Sequence, residues 1–374
     1  MLVVTVRDEL ASNLGKFTLQ ESGDFAFVSE RVWLNTASPL EENPFQEILL
    51  MRFVTVMKTA KAYLGSILGA AMVAGLLMGT ASAIPMNSSA RAVVPADLQQ
   101  LISVDYRALK DSPTAMQLKQ QVLPDNLKEF ESALKGIGID PDKDVDSLTF
   151  AAFRTPKQGI KQVGVAAGPF AMKTVVKKLT TMKIKPTKYR TSSYYPMDGG
   201  MVMCFLDDST LLFGESSAVK IALDTRDGEV LGVDTNSTMS DMISNVDSAP
   251  VWSILDQQGT QNVMRSALGD AAKVADYETV KKRLLGSRYT MDFSSGVNFD
   301  LTVVTSDTVT AATMSSLVKA GLLYKKMSAT PTEKIAMENT TIDSDGSNLS
   351  MHFKASNAQF QGLMHSELFA AVSH

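Results

Sequence analysis

Asp140, Asp142, Asp144 and Asp146 occupy every second position of one short segment. On an extended loop that spacing turns four carboxylates to one side, where a hard cation such as calcium could bridge them. The segment lacks the glycine that an EF-hand loop needs at its sixth position, where Val145 stands, and the glutamate at its twelfth, where Ala151 stands. Two readings follow: a weak calcium site made by Asp140, Asp142, Asp144 and Asp146, or a solvated loop in which Asp140-Pro141 turns the chain and the acids cap nearby backbone groups. Asp207 with Asp208, and Asp343 with Asp345, read as turn residues. Carboxylate pairs can also run glycoside hydrolysis, but only when held about 5 to 9 Å apart. Nothing in the spacing of these acids sets that separation.

Other chemistry is thinly supplied. The histidines are His352, His365 and His374, all near the C-terminal end. A histidine-based triad or metal pair would have to be gathered there, and His352, between Met351 and Phe353 on a strand, is expected to point outward. No Gly-x-Ser-x-Gly elbow, phosphate-cradling loop or dinucleotide fingerprint occurs. Cys204 is the single cysteine, which excludes an intramolecular disulfide and any multi-cysteine metal site. It lies in the apolar run 201–206 and is expected to be buried and inert. Met197, Met201 and Met203 could be soft copper ligands beside it, but strand alternation would split them from the thiol, and core packing is the expected role. No cofactor is implied.

These residues need elements to hold them. The chain has 374 residues, 45% hydrophobic and 20% charged, enough for a large core and unlike a disordered chain. Its 36 basic and 40 acidic residues give a net charge of −4 and no basic field for nucleic acid. Helical patterns are expected over 96–109, 125–137, 171–182, 216–225, 274–285, 308–327 and 357–363. Strands are expected over 148–153, 161–167, 189–196, 201–206, 210–213, 288–293, 297–305, 334–342 and 348–353. The order helix, hairpin, helix, hairpin, helix is read twice. The expectation is an α+β protein of two similar units, 84–235 and 236–374, each an antiparallel sheet with helices packed on one face. An extra strand, 250–255, falls in the joint between them.

Residues 57–83 read as a signal peptide. Lys58 and Lys61 supply the basic start, 63–78 is uncharged and largely apolar, and Ala81-Ser82-Ala83 gives the small side chains of a cleavage site. Residues 62–85 carry no charge, so an uncleaved membrane anchor is the alternative. Residues 1–56 precede the signal and show no sustained period, and are read as a doubtful N-terminal extension from a mis-assigned start.

The segments Ile137-Gly138-Ile139-Asp140-Pro141-Asp142-Lys143-Asp144-Val145-Asp146, Gly168-Pro169-Phe170 and Phe205-Leu206-Asp207-Asp208-Ser209-Thr210-Leu211-Leu212-Phe213-Gly214 resemble uncharacterised exported bacterial α+β proteins. The resemblance implies an extracytoplasmic domain and brings no activity. The sequence thus points to a periplasmic or secreted protein, a non-enzymatic binding or structural module with a protein or small-molecule partner in the cell envelope. It would meet a membrane only if 62–83 stay attached. The alternative is a carboxylate-dependent hydrolase using Asp140 to Asp146, or Asp207 and Asp208.

Overall fold

The computed structural model describes residues 85–110, 112–122, 125–156, 159–197, 200–268 and 277–366. The extension 1–56 and the signal segment 57–83 lie outside them.

Residues 96–109 were expected to be helical, opened by Pro95 and Asp97, and the structure differs over 98–104, Leu-Gln-Gln-Leu-Ile-Ser-Val. That stretch forms strand β1 (Leu98–Val104), buried along its whole length. A central strand is covered on both faces, so it shows no alternation, and the helix-opening signal of Pro95 and Asp97 misleads. Only the tail of that segment is helical, as α2 (Tyr106–Leu109), after the short α1 (Ser88–Ala92).

β1 pairs antiparallel with β2 (Ser147–Thr155) on one side and with β8 (Val251–Leu255) on the other. Beyond β2 come β3 (Gly159–Ala167), β7 (Thr210–Glu215), β6 (Met201–Asp207), β5 (Ser192–Pro196) and β4 (Thr187–Tyr189). Beyond β8 come β9 (Leu284–Asp292), β10 (Val297–Thr305), β12 (Asn348–Ala355) and β11 (Thr340–Asp345). The protein is α+β, and its strands form one twelve-stranded antiparallel sheet where two separate sheets were expected. The reason is β8, the strand read as an extra in the joint. Its register, Leu101 opposite Ile254 and Val104 opposite Val251, welds the two strand sets edge to edge.

The remaining helices are α3 (Pro113–Val122), α4 (Asp125–Ile137), α5 (Pro141–Asp144), α6 (Met172–Thr181), α7 (Ser216–Arg226), α8 (Ser237–Ser244), α9 (Gln257–Leu268), α10 (Tyr277–Val280), α11 (Thr308–Ser328), α12 (Pro331–Glu338) and α13 (Asn357–Met364). Residues 334–342 were expected to open a hairpin. Instead Thr330 and Glu333 form a reciprocal capping box with Pro331 at the first turn, which starts α12, and the strand begins only at Thr340.

Helices were expected on one face, but the sheet from β1 to β7 is covered on both. Ile102, Phe150, Phe213 and Phe293 pack with Phe130 and Leu134 of α4 and Leu179 of α6 on the first face. Leu101, Phe153, Trp252 and Ile254 pack with Leu223 of α7 and Ile243 of α8 on the second. Past Gly286 at the start of β9, which lies under Met242 of α8, the helices over β9 to β12 keep to one face: Val303, Ile342 and Leu349 meet Met264 of α9 and Met314 of α11 there. Strand order outward from β1 and from β8 is the same, β1-β2-β3-β7-β6 and β8-β9-β10-β12-β11. The helix after each outer hairpin differs: α7 lies over the second face, whereas Phe360 and Met364 of α13 join the first.

Candidate functional site

The acid segment is not an extended loop. The Asp140 side chain accepts from Asp142 N–H and Pro141 takes the first helical position, so 141–144 closes into the single turn of α5. The alternating geometry expected of four carboxylates is thereby lost. Asp144 accepts from Asp140 N–H at 2.7 Å, and Asp140 faces Lys143 at 3.1 Å. Asp146 is half-buried, its backbone tied to Ala167 and Arg107. Among the described residues no three histidine, cysteine or acidic side chains gather as a metal set.

Asp142 turns inward, into a network the sequence did not reveal. It accepts from Tyr106 Oη at 2.8 Å, Lys119 Nζ at 3.2 Å and Lys135 Nζ at 3.1 Å. Lys119, 7% exposed, also donates to Tyr106 Oη at 3.0 Å and meets Glu131 at 2.7 Å. Beside this network a cavity of about 50 Å³ is lined by Leu127, Phe130, Leu134, Leu148, Phe150 and Phe213. An engineered apolar cavity of about 150 Å³ accepts benzene, so the free space here is small.

The electrostatics fix Tyr106, Lys119 and Asp142 in their ordinary charge states at neutral pH. Burial pushes the Tyr106 phenol far up, against the pull of Lys119. Burial opposes protonation of Lys119, but the hydrogen bond and charge of Glu131, helped by Tyr106, raise its pKa. Burial likewise opposes ionisation of Asp142, yet the Tyr106 hydroxyl, the Lys119 charge and the Lys135 hydrogen bond bring it down to about 2. None of these is poised near neutrality to exchange protons, as an acid or base catalyst must be. The arrangement is a clamp holding α2, α3, α4 and α5 together. A carboxylate lowered by folding stabilises the fold above its unfolded pKa and loses that contribution as pH falls. Asp142→Asn is therefore expected to be less stable than the wild type at pH 7, with the difference vanishing between about pH 4 and pH 2. Urea midpoints measured across that range check it.

The other acids sit on exposed turns and edges. Asp207 closes the β6–β7 turn, accepting from Ser209 N–H at 2.8 Å and from Ser89 Oγ at 2.7 Å, and Asp208 beside it is exposed. Asp343 and Asp345 lie on the outer strand β11, exposed, with Lys319 at 3.5 Å from Asp343. His352 is exposed on β12, as expected, and pairs with Asp300; His365 caps the end of α13, and His374 lies outside the described residues. Cys204 is fully buried, its thiol pKa raised by that burial. It faces the second core, while Met201 and Met203 face the first.

No family model matches the chain, and no curated protein does. Among solved structures it is similar to one described as crystal form I of TP0453, with 10% identity and a TM-score of 0.40, over 76% of this chain and 98% of that one.

The second face of the sheet from β9 to β12 is open beyond the start of β9. Residues on it follow the strand alternation: Arg288, Thr290 and Asp292; Asn298, Asp300 and Thr302; Ser350, His352 and Lys354. None is buried, and most are polar, because no helix covers them. Antiparallel sheets commonly leave one face to water in this way. No single residue announced the face in the sequence. Its signal was the alternation of polar positions in 288–304 and 348–354.

Proposed function

We propose that the chain is an exported, non-enzymatic binding or structural module of the cell envelope, which engages its partner through the open sheet face of β9 to β12. The observation that carries this reading is the pairing of that bare, polar, strand-built face with candidate acids that are committed elsewhere, Asp140 and Asp142 to lysines and Asp207 to a turn. Rigid faces of this kind suit recognition, since little order has to be gained on binding. No helix among the described residues is long and apolar enough to cross a membrane.

Two readouts test it. The chain recovered from its native host should start at Ile84 and fractionate outside the cytoplasm. Photo-crosslinking residues placed at Asn298 and Lys354 should capture the same envelope partner, and one at Lys177 on α6 should not. Cytoplasmic recovery of the chain with 1–56 intact, or equal labelling at all three positions, would overturn the reading.

A further inference from the structure

Four arginines among the described residues are half-buried: Arg91, Arg154, Arg226 and Arg288. The first three each hold an aspartate, Asp234 at 2.5 Å, Asp256 at 2.7 Å and Asp227 at 2.9 Å. That is the usual rule, since a guanidinium taken partly out of water needs a charged partner. Among the described residues the Arg288 side chain has neither an ion pair nor a hydrogen bond, and burial lowers its pKa.

Its position explains why it is accessible all the same. On β9 the residue two before it, Gly286, lies under Met242 of α8: a Cβ there would come within 3.0 Å of that side chain. Arg288 therefore stands where the cover of α8 ends and the open face begins. Directly across the strands from it are Thr302 on β10 and Ser350 on β12, in one row of the register. Neighbouring strands are about 4.8 Å apart, so the three side chains make a line of donors about 10 Å long. The row ends on β11 at Asp343, across from Ser350, which Lys319 holds at 3.5 Å, and the nearest acid in the adjacent row, Asp300, is engaged by His352.

We propose that Arg288, with Thr302 and Ser350 in line, binds a carboxylate monoanion on the open sheet face. The guanidinium fork matches a carboxylate in a two-bond geometry, and the hydroxyls can donate to its flank. A dianion suits the site less well. Lys354 is the other cation on the face, against Asp292, Asp300, Asp343 and Asp345, so a second negative charge would meet repulsion. This inference rests on the open face being the binding surface and adds the chemistry of what binds there.

The test is an NMR titration of the purified full chain with sodium acetate at constant ionic strength, following the Arg288 Nε–H and the amides of Thr302 and Ser350. Saturable shifts confined to this row are expected, with a midpoint near about 10 mM, as befits one charge-assisted contact. Sodium phosphate at pH 7.5 should bind at least about three-fold more weakly. Arg288→Gln should abolish the shifts, and Arg288→Lys, which keeps the charge without the fork, should weaken them about five-fold. Because Arg288 supports no partner, Arg288→Gln should also melt within about 2 °C of the wild type. Unsaturable shifts, an unchanged response in Arg288→Gln, tighter phosphate binding, or a melting loss beyond about 5 °C would each overturn the assignment. The two ideas fail separately. Crosslinks at Asn298 and Lys354 that persist without acetate binding remove only the carboxylate site, and acetate binding without crosslinks removes the envelope partner.

Discussion

Trp252→Ala is expected to cost about 3 to 5 kcal/mol, enough to consume a large part of the stability of an ordinary domain. The indole is 1% exposed and belongs to the second core with Leu101, Phe153 and Ile254. Its strand is the one that welds the sheet: Trp252 faces Ser103 on β1 and Thr290 on β9. Removing it therefore leaves a void at the seam and not at a periphery. Urea unfolding followed by far-ultraviolet circular dichroism should show one transition shifted to lower denaturant, and Trp252→Phe should recover most of the loss. A loss under about 1 kcal/mol would show that the indole is poorly packed.

Gly168→Ala is expected to be the most damaging single methyl addition among the described glycines of the first half. A Cβ at this position would lie 2.0 Å from the carbonyl oxygen of Asp144 and 3.1 Å from Cα of Val145. These are backbone atoms, so no side-chain rotation relieves the clash. The backbone on either side is also held: Gly168 N–H donates to Ser209 and Asp146 N–H to Ala167, each bond within 2.9 Å. Overpacking commonly costs about 1 to 3 kcal/mol, and a clash against fixed backbone belongs at or above the upper end. The displaced segment carries α5, so the variant should also lose part of the Asp142 clamp. Its acid unfolding is then expected at higher pH than that of the wild type. Gly136→Ala is the matched control. It lies in α4 with nothing within 4 Å of its added Cβ, and alanine in a helix is better than glycine by about 0.5 to 1 kcal/mol. A Gly168→Ala midpoint equal to that of Gly136→Ala would refute the close approach.

The class of the fold was legible because most elements advertise their own period. β10 shows alternating Val297, Phe299, Leu301 and Val303, and α11 opens on Asp307, whose side chain accepts from Thr310 N–H as the sequence led one to expect. Where local pattern and tertiary setting disagree, the pattern failed. β1 reads as a helix because burial on both faces erases alternation, and that burial depends on β8, far away in sequence. The start of α12 was legible but missed: Thr330-Pro331-Thr332-Glu333 spells a capping box with proline at the first turn. The site was less accessible to this kind of reasoning. Asp142 was singled out for its neighbours in sequence, yet its partners are Tyr106, Lys119 and Lys135, chosen by the packing of α2, α3 and α4. Arg288 stands out only because the other half-buried arginines among the described residues each hold an aspartate, a contrast no spacing rule makes.

The place of β1 in the sheet also bears on how the chain is born. Synthesis delivers β1 early, and β2 to β7 follow closely, so that set can assemble as it emerges. Its partner on the other flank, β8, arrives only after α7 and α8 have been made. For that interval one side of β1 presents unpaired N–H and C=O groups from Gln100 to Val104, an apolar template of the kind that recruits stray strands. A nascent chain of this protein is thus most vulnerable in the middle of its translation, and anything that holds it unfolded until Leu255 has appeared protects the whole.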